Sequence, residues 1–253
     1  MAGNQNTNVF IGAYDNSEFR KVKAFRMFLS IIVFTGLSLG LHFLRYKTPW
    51  GPSFITVDFS VFTEFVAAIA YGPIIGTVVC LLKFILVAVI KPASIASDIA
   101  NFLVEAAFII TASLFYYKKN FRNSDNEKDG TVRLFRRRRI IIGSLIGIIP
   151  ALIVQFITNL FIVFPLLERF YASYGYTKEE FLKQYQLAVD VLTEHSPGLL
   201  GKVLPEITDL WQGVLLFNLP ATFMKLLAVS LITALIYPAI SPFLHFDFNF
   251  RER

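Results

Sequence analysis

Apolar residues along this chain gather into long, nearly uninterrupted runs, unlike the alternating or three-to-four spacing of elements that are half in water. The runs extend over about Ala24 to Leu44, Phe54 to Tyr71, Ile74 to Ile90, Ile99 to Tyr117, Ile140 to Phe164 and Trp211 to Ile240. A helix needs about 20 mainly apolar residues to cross the hydrocarbon of a bilayer. In lipid each backbone N–H and C=O must also be satisfied within its own segment, which selects helices over irregular chain. The pattern predicts an all-α membrane protein, residues 1–253 forming a single domain of six transmembrane helices.

Breaks between the runs carry their own signals. The segment RYKTPWGPSF, marked by Pro and Gly, predicts a surface loop with Tyr46 and Trp50 in an interfacial aromatic belt. Gly72-Pro73 predicts a tight turn, because Pro cannot continue the preceding hydrogen-bond ladder. KPASIASD interrupts the pattern before the fourth run, and residues 166–210 form a long amphipathic stretch, expected to be a helical insert outside the membrane. The polar opening, residues 1–23, lacks the apolar core of a signal peptide and reads as a partly ordered cytoplasmic tail.

Composition agrees. The chain has 253 residues, 55% of them hydrophobic and 17% charged, with a mean hydropathy of +0.58, more apolar surface than one soluble core can bury. The lone cysteine, Cys80, excludes an intrachain disulfide and a thiol metal cluster.

Charge then orients the helices. Residues 118–139 hold nine Lys and Arg against three acids, which predicts a cytoplasmic loop. With six helices the N-terminus, carrying Arg20, Lys21 and Lys23, falls on the same side, as does the C-terminal HFDFNFRER. The insert 166–210 then lies outside, with four basic residues against seven acidic ones, so the net charge of +6 is an inside effect. The run Arg136 to Arg139 reads as a topology signal beside a helix start, ahead of a nucleic-acid patch.

Against this apolar background polar side chains at membrane depth stand out, since a central Lys or Asp costs about 2.5 to 3.5 kcal/mol. In the topology above, Asp58, Asn101 and Asn159 lie within one to two turns of the outer surface and Asn218 about two turns down. Lys83 is about seven residues, roughly 11 Å, from the outer end of its helix, and Lys225 is near mid-membrane. Five helices thus send polar groups into the outer half. Glu64 and Glu105 fall near or below the midplane, where they can pair with a lysine, face a partner, or serve a proton relay. The asymmetry predicts a pocket open to the outside. Each residue also has a purely structural reading: snorkelling for Lys83, helix-to-helix hydrogen bonding for Asn101 and Asn159, and an N-terminal cap for Asp58. In the first helix Gly36 and Gly40 form a small-residue face that permits close helix approach, a candidate protein contact.

The order of short motifs resembles a known family. VDFS at Val57 to Ser60, YGPIIGTVVCLLK at Tyr71 to Lys83, IANFL at Ile99 to Leu103, TNLFIVFPLL at Thr158 to Leu167 and FNLPATFMK at Phe217 to Lys225 are similar to the riboflavin-type substrate-binding S component of energy-coupling-factor (ECF) vitamin transporters. The resemblance implies a six-helix binding protein of the bacterial cell membrane, with no catalytic site and no cofactor of its own. Such a protein captures a vitamin outside and releases it after joining a membrane-embedded coupling protein and two ATPases. Position by position it implies Asn159 and Lys225 at the polar edges of a flavin, with Asp58, Lys83, Asn101 and Asn218 nearby. Gly36 and Gly40 would mark the docking face, and loop 46–54 with the insert would close the pocket.

The chain departs from the family pattern at Val61 and Thr63, where Asp and Pro are usual, and at Phe84 and Ala96-Ser97-Asp98-Ile99. The fold can therefore carry a different ligand, such as pantothenate, folate or a pyrimidine. Two other classes remain open on the residues alone: a membrane enzyme using Glu64, Glu105 or His195, and a scaffold with no pocket between its helices.

Overall fold

The computed structural model describes residues 6–120, 129–195 and 204–244. Helix α1 (Asn6–Phe43) leads into a two-stranded antiparallel hairpin, Tyr46–Lys47 with Thr56–Val57, in register Tyr46 opposite Val57. Then follow α2 (Ser60–Tyr71), α3 (Pro73–Ile90), α4 (Ile95–Asn120), α5 (Asp129–Thr158), α6 (Phe164–Tyr171), α7 (Lys178–His195), α8 (Leu210–Gly213) and α9 (Leu219–Leu244). A turn of π-helix joins α5 to α6 at Asn159–Val163, and a second joins α8 to α9 at Val214–Asn218.

Among the described residues, five helical stretches are long and apolar enough to cross a membrane: Ala24–Phe43, Pro73–Ile90, Pro92–Lys118, Arg137–Tyr174 and Leu210–Pro242. Expectation and structure part at the second run. Its helix starts at Ser60, and its 12 residues rise about 18 Å, short of the roughly 30 Å of hydrocarbon. Residues 54–59 instead complete the hairpin, where the β-branched pair Thr56-Val57 suits an extended strand. Asp58 Oδ1 accepts from the backbone N–H of Ser60 at 3.0 Å and from its hydroxyl at 2.6 Å, but the cap position itself is Phe59, so Asp58 stands one residue before the cap it was expected to form.

Other boundaries also move. The tail is helical from Asn6, and α5 begins at Asp129, so Arg133 and Arg136 to Arg139 stand on a helix. Pro92–Ser94 forms a 3-10 turn running straight into α4, which shortens the expected break. Expectations for residues 121–128, for 245–253 and for the His195 side chain lie outside the described residues.

Close approach between helices depends on glycine. Gly72 adopts φ +107° with Pro73 opening α3, the turn that the Gly-Pro pair predicts. A Cβ on Gly76 would stand 2.4 Å from Ala68 Cβ and 2.9 Å from the Glu64 carbonyl oxygen, so α3 can lie against α2 only without one. Gly143 and Gly147 meet Ala112 of α4 in the same way. Among the described residues two buried clusters result. One fills the bundle around Phe65, Phe108, Ile109, Leu226 and Tyr237, and the other lies at the insert end around Phe164, Phe181, Tyr185 and Phe217. Outward apolar residues such as Ile74 and Val89, each 76% exposed, suit contact with lipid.

Candidate functional site

Two prolines shape the site. Pro165 and Pro220 lack the N–H that would bond the carbonyls of Phe161 and Leu216, and their rings crowd those carbonyls. The ladder widens instead: the N–H of Phe164 bonds the Asn159 carbonyl and that of Leu219 bonds the Val214 carbonyl, each five residues back. Each π turn holds one carboxamide, Asn159 or Asn218, and the two side chains meet. Asn218 Nδ2 donates to Asn159 Oδ1 at 3.4 Å, Asn159 Nδ2 donates to the Gln155 carbonyl at 2.8 Å, and the Tyr185 hydroxyl donates to Asn218 Oδ1 at 2.7 Å.

These carboxamides line a cavity of about 840 Å³. Its polar wall also includes Asn101, Gln155, Glu105, Thr222 and Lys225. At the insert end it is lined by Phe54 of the hairpin and by Phe164, Tyr171, Tyr174, Tyr176 and Phe181. Hairpin and insert lock together there: Phe54 meets Phe181 and Tyr185 edge to face, at centroid distances of 5.5 and 5.2 Å, and Ser53 Oγ lies 3.3 Å from Gln184 Oε1. The insert is therefore part of the cavity wall.

Behind the cavity runs a buried ionic network. Glu105 Oε1 lies 2.7 Å from Lys225 Nζ, and its other oxygen pairs with Lys83. Lys83 also meets Glu64 Oε1 at 2.7 Å and Ser60 Oγ at 2.9 Å, and Ser38 of α1 donates to Glu64 at 2.6 Å. Asp58 lies 3.7 Å from Lys225 and 3.5 Å from the buried His42 ring, while Asp98 accepts from Arg45 at 2.6 Å. Carboxylates and ammonium groups that are costly alone in an apolar medium are thus held in contact across α2, α3, α4 and α9, with Ser38 and His42 of α1 against them. Glu64, Cys80 and Glu105 offer atoms within 4.8 Å of one another. The Lys83 ammonium already occupies the space between the two carboxylates, so this is an ion-pair centre, unsuited to a metal.

The expected residues therefore separate into two groups. Asn101, Asn159, Asn218 and Lys225 line the cavity, whereas Asp58 and Lys83 stand behind its wall and work through partners. Gly36 and Gly40 lie elsewhere, on an exposed face of α1 where an added Cβ would meet nothing within 4 Å. The pairing of Glu64 and Glu105 with a lysine inside the bundle is observed. Sequence reasoning placed Glu105 among the inner acids without placing it on the cavity wall, and missed Gln155 and Thr222 there, together with the insert aromatics and His42. Gln155 had a signal: it lies one turn before Asn159 in an otherwise apolar helix. Tyr185 had none, since its role depends on how the insert folds back.

A family model described as the substrate-specific component of the ECF transporter matches residues 29–237. The riboflavin transporter RibU of Staphylococcus aureus (strain TCH60) is 28% identical over 138 residues, 54% of this chain. The chain spans 65% of that relative's length. A solved structure, reported as the structure and mechanism of the S component of a bacterial ECF transporter, matches in fold with a TM-score of 0.57 at 22% identity, covering 87% of this chain and 97% of that one.

Proposed function

The chain belongs to the substrate-specific components of ECF transporters, and from that premise we propose that it captures riboflavin or a closely related flavin in the cavity and delivers it inward. Its relatives are transport subunits, not enzymes. The observation that carries the flavin reading is the linked carboxamide pair, Asn159 and Asn218, on the wall of a cavity of about 840 Å³ with aromatic residues at one end. A flavin ring is flat and apolar on its faces and carries carbonyl, N–H and carbonyl in order along one edge. Aromatic side chains suit the faces and carboxamides suit the edge. The similarity to the Staphylococcus aureus riboflavin transporter points the same way.

In this reading the cavity opens outside the cell, the basic segment 118–139 and both termini lie in the cytoplasm, and the insert 166–210 is extracellular. Residues 1–253 act as one domain of the plasma membrane. The ends of Ser60–Tyr71 would reach the surfaces through the hairpin and the Gly72 turn. The exposed face at Gly36 and Gly40 receives the coupling protein, and two partner ATPases supply the energy. The chain needs no cofactor of its own.

The test is flavin fluorescence quenching on the purified chain. Submicromolar binding is expected, and Asn159→Ala and Lys225→Ala should each lose it. If both variants bind like the parent, the site is misassigned. If the parent binds no flavin but pantothenate, folate or a pyrimidine raises its melting temperature, the fold carries a different vitamin.

A further inference from the structure

The insert is the part of the chain that vitamin capture leaves without a specific task. Its helix α7 turns Tyr185 inward, fully buried, with the ring stacked on Phe217 at 5.8 Å. Gly213 makes room for that ring, since a Cβ there would stand 2.4 Å from it. The hydroxyl reaches Asn218 Oδ1, the end of the carboxamide chain.

The direction of that chain follows from its inner end. The Gln155 carbonyl can only accept, so Asn159 must turn Nδ2 toward it and Oδ1 toward Asn218. Asn218 must then answer with Nδ2, leaving its own oxygen for the Tyr185 hydroxyl, which donates. Each Nδ2 keeps one unused hydrogen, and Asn159 Oδ1 keeps a lone pair. From Gln155 outward, the groups left for a ligand run donor, acceptor, donor. An imide edge runs acceptor, donor, acceptor.

We propose that Tyr185, reaching in from the insert, is a positioning residue that holds the Asn218 carboxamide in place, so that its Nδ2 supplies the outer donor of this order to the imide edge of the ligand. Without its hydroxyl the oxygen of Asn218 loses its donor in a buried site, and the carboxamide, held only through Asn159, no longer keeps its Nδ2 fixed toward the ligand. The insert then serves selectivity as well as enclosure. This inference rests on the flavin reading.

The experiment uses the full chain in detergent and the variant Tyr185→Phe, which keeps the ring and its packing. Affinities are measured for riboflavin and for riboflavin methylated on the imide nitrogen. The parent should prefer riboflavin by about ten-fold or more, as expected for a lost hydrogen bond to a buried acceptor. In Tyr185→Phe riboflavin should weaken about ten-fold while the methylated derivative binds as before, so the preference collapses. Unchanged binding of the derivative also reports an intact fold. If the preference survives, because both ligands weaken alike or neither does, Tyr185 is only a packing residue and the proposal is overturned. If the parent itself binds no riboflavin, the flavin reading falls first and this proposal with it.

Discussion

Glu105 Oε1 and Lys225 Nζ stand 2.7 Å apart on the cavity wall, and the other Glu105 oxygen is held by Lys83 from behind. One carboxylate thus joins a lysine that can meet a ligand to a lysine that cannot, and the two should respond differently to mutation.

Lys83→Met should cost stability. Removing one partner of a buried pair leaves its carboxylates uncompensated, at about 3–5 kcal/mol. Adding Glu64→Gln should recover part of the loss, because Lys83 pairs with Glu64 directly. Melting temperature in detergent checks both, and equal melting of the single and double variants would refute the coupling.

Pro220→Ala restores an N–H opposite the Leu216 carbonyl and relieves the crowding that widens the helix. The π turn at Val214–Asn218 should tighten into regular α-helix, turning Asn218 by about 100°, one residue's worth of helix, away from its present direction. Ligand affinity is expected to fall at least ten-fold with no loss of melting temperature. A variant that loses stability yet binds normally would argue against this account of the turn.

Phe181→Ala empties the contact between insert and hairpin, where Phe181 meets Phe54 at 5.5 Å and Phe164 at 4.9 Å. Because it loosens the closing wall and leaves the polar wall intact, the ligand off-rate should rise about ten-fold or more with little change in on-rate. Stopped-flow flavin fluorescence separates the two rates.

Gly76→Val should be among the most damaging single changes, since even a Cβ there meets Ala68 at 2.4 Å. Forcing α2 and α3 apart costs about 1–3 kcal/mol by overpacking, and it also moves Glu64 away from Lys83. Thermal unfolding should show the loss, and a parent-like melting temperature would contradict the packing.

Burial pushes the Tyr185 hydroxyl pKa up, while its hydrogen bond to Asn218 opposes the rise less strongly. The unfolded chain ionises near the ordinary value of about 10 and the folded chain does not, so the unfolded state binds fewer protons above that pH. This contribution to stability is complete below about pH 10 and is lost as pH rises further. Tyr185→Phe should therefore show a shallower fall in melting temperature above about pH 10 than the parent.

Much of the site was legible because the membrane makes polarity conspicuous. Asn101, Asn159, Asn218 and Lys225 interrupt apolar helices, and all four line the cavity. Asp58 and Lys83 were equally conspicuous, yet they stand behind the wall. Sequence gives the depth of a residue along its helix, but the rotation of that helix decides whether a side chain meets a ligand or another side chain. Glu105 shows the converse, a residue read as an inner acid that reaches the cavity through its pairing with Lys225.

Sequence alone determined that the chain is a bundle of apolar helices, that Gly72-Pro73 turns tightly, and that polar groups concentrate at membrane depth. These follow from local rules: residue hydrophobicity, the missing N–H of proline and the cost of charge in lipid. Tertiary structure alone decided that α2 starts as late as Ser60, that Glu105 binds two lysines at once, and that the insert brings Tyr185 to Asn218. The last two are contacts between residues 22 to 120 positions apart, and no local preference encodes which of them will meet.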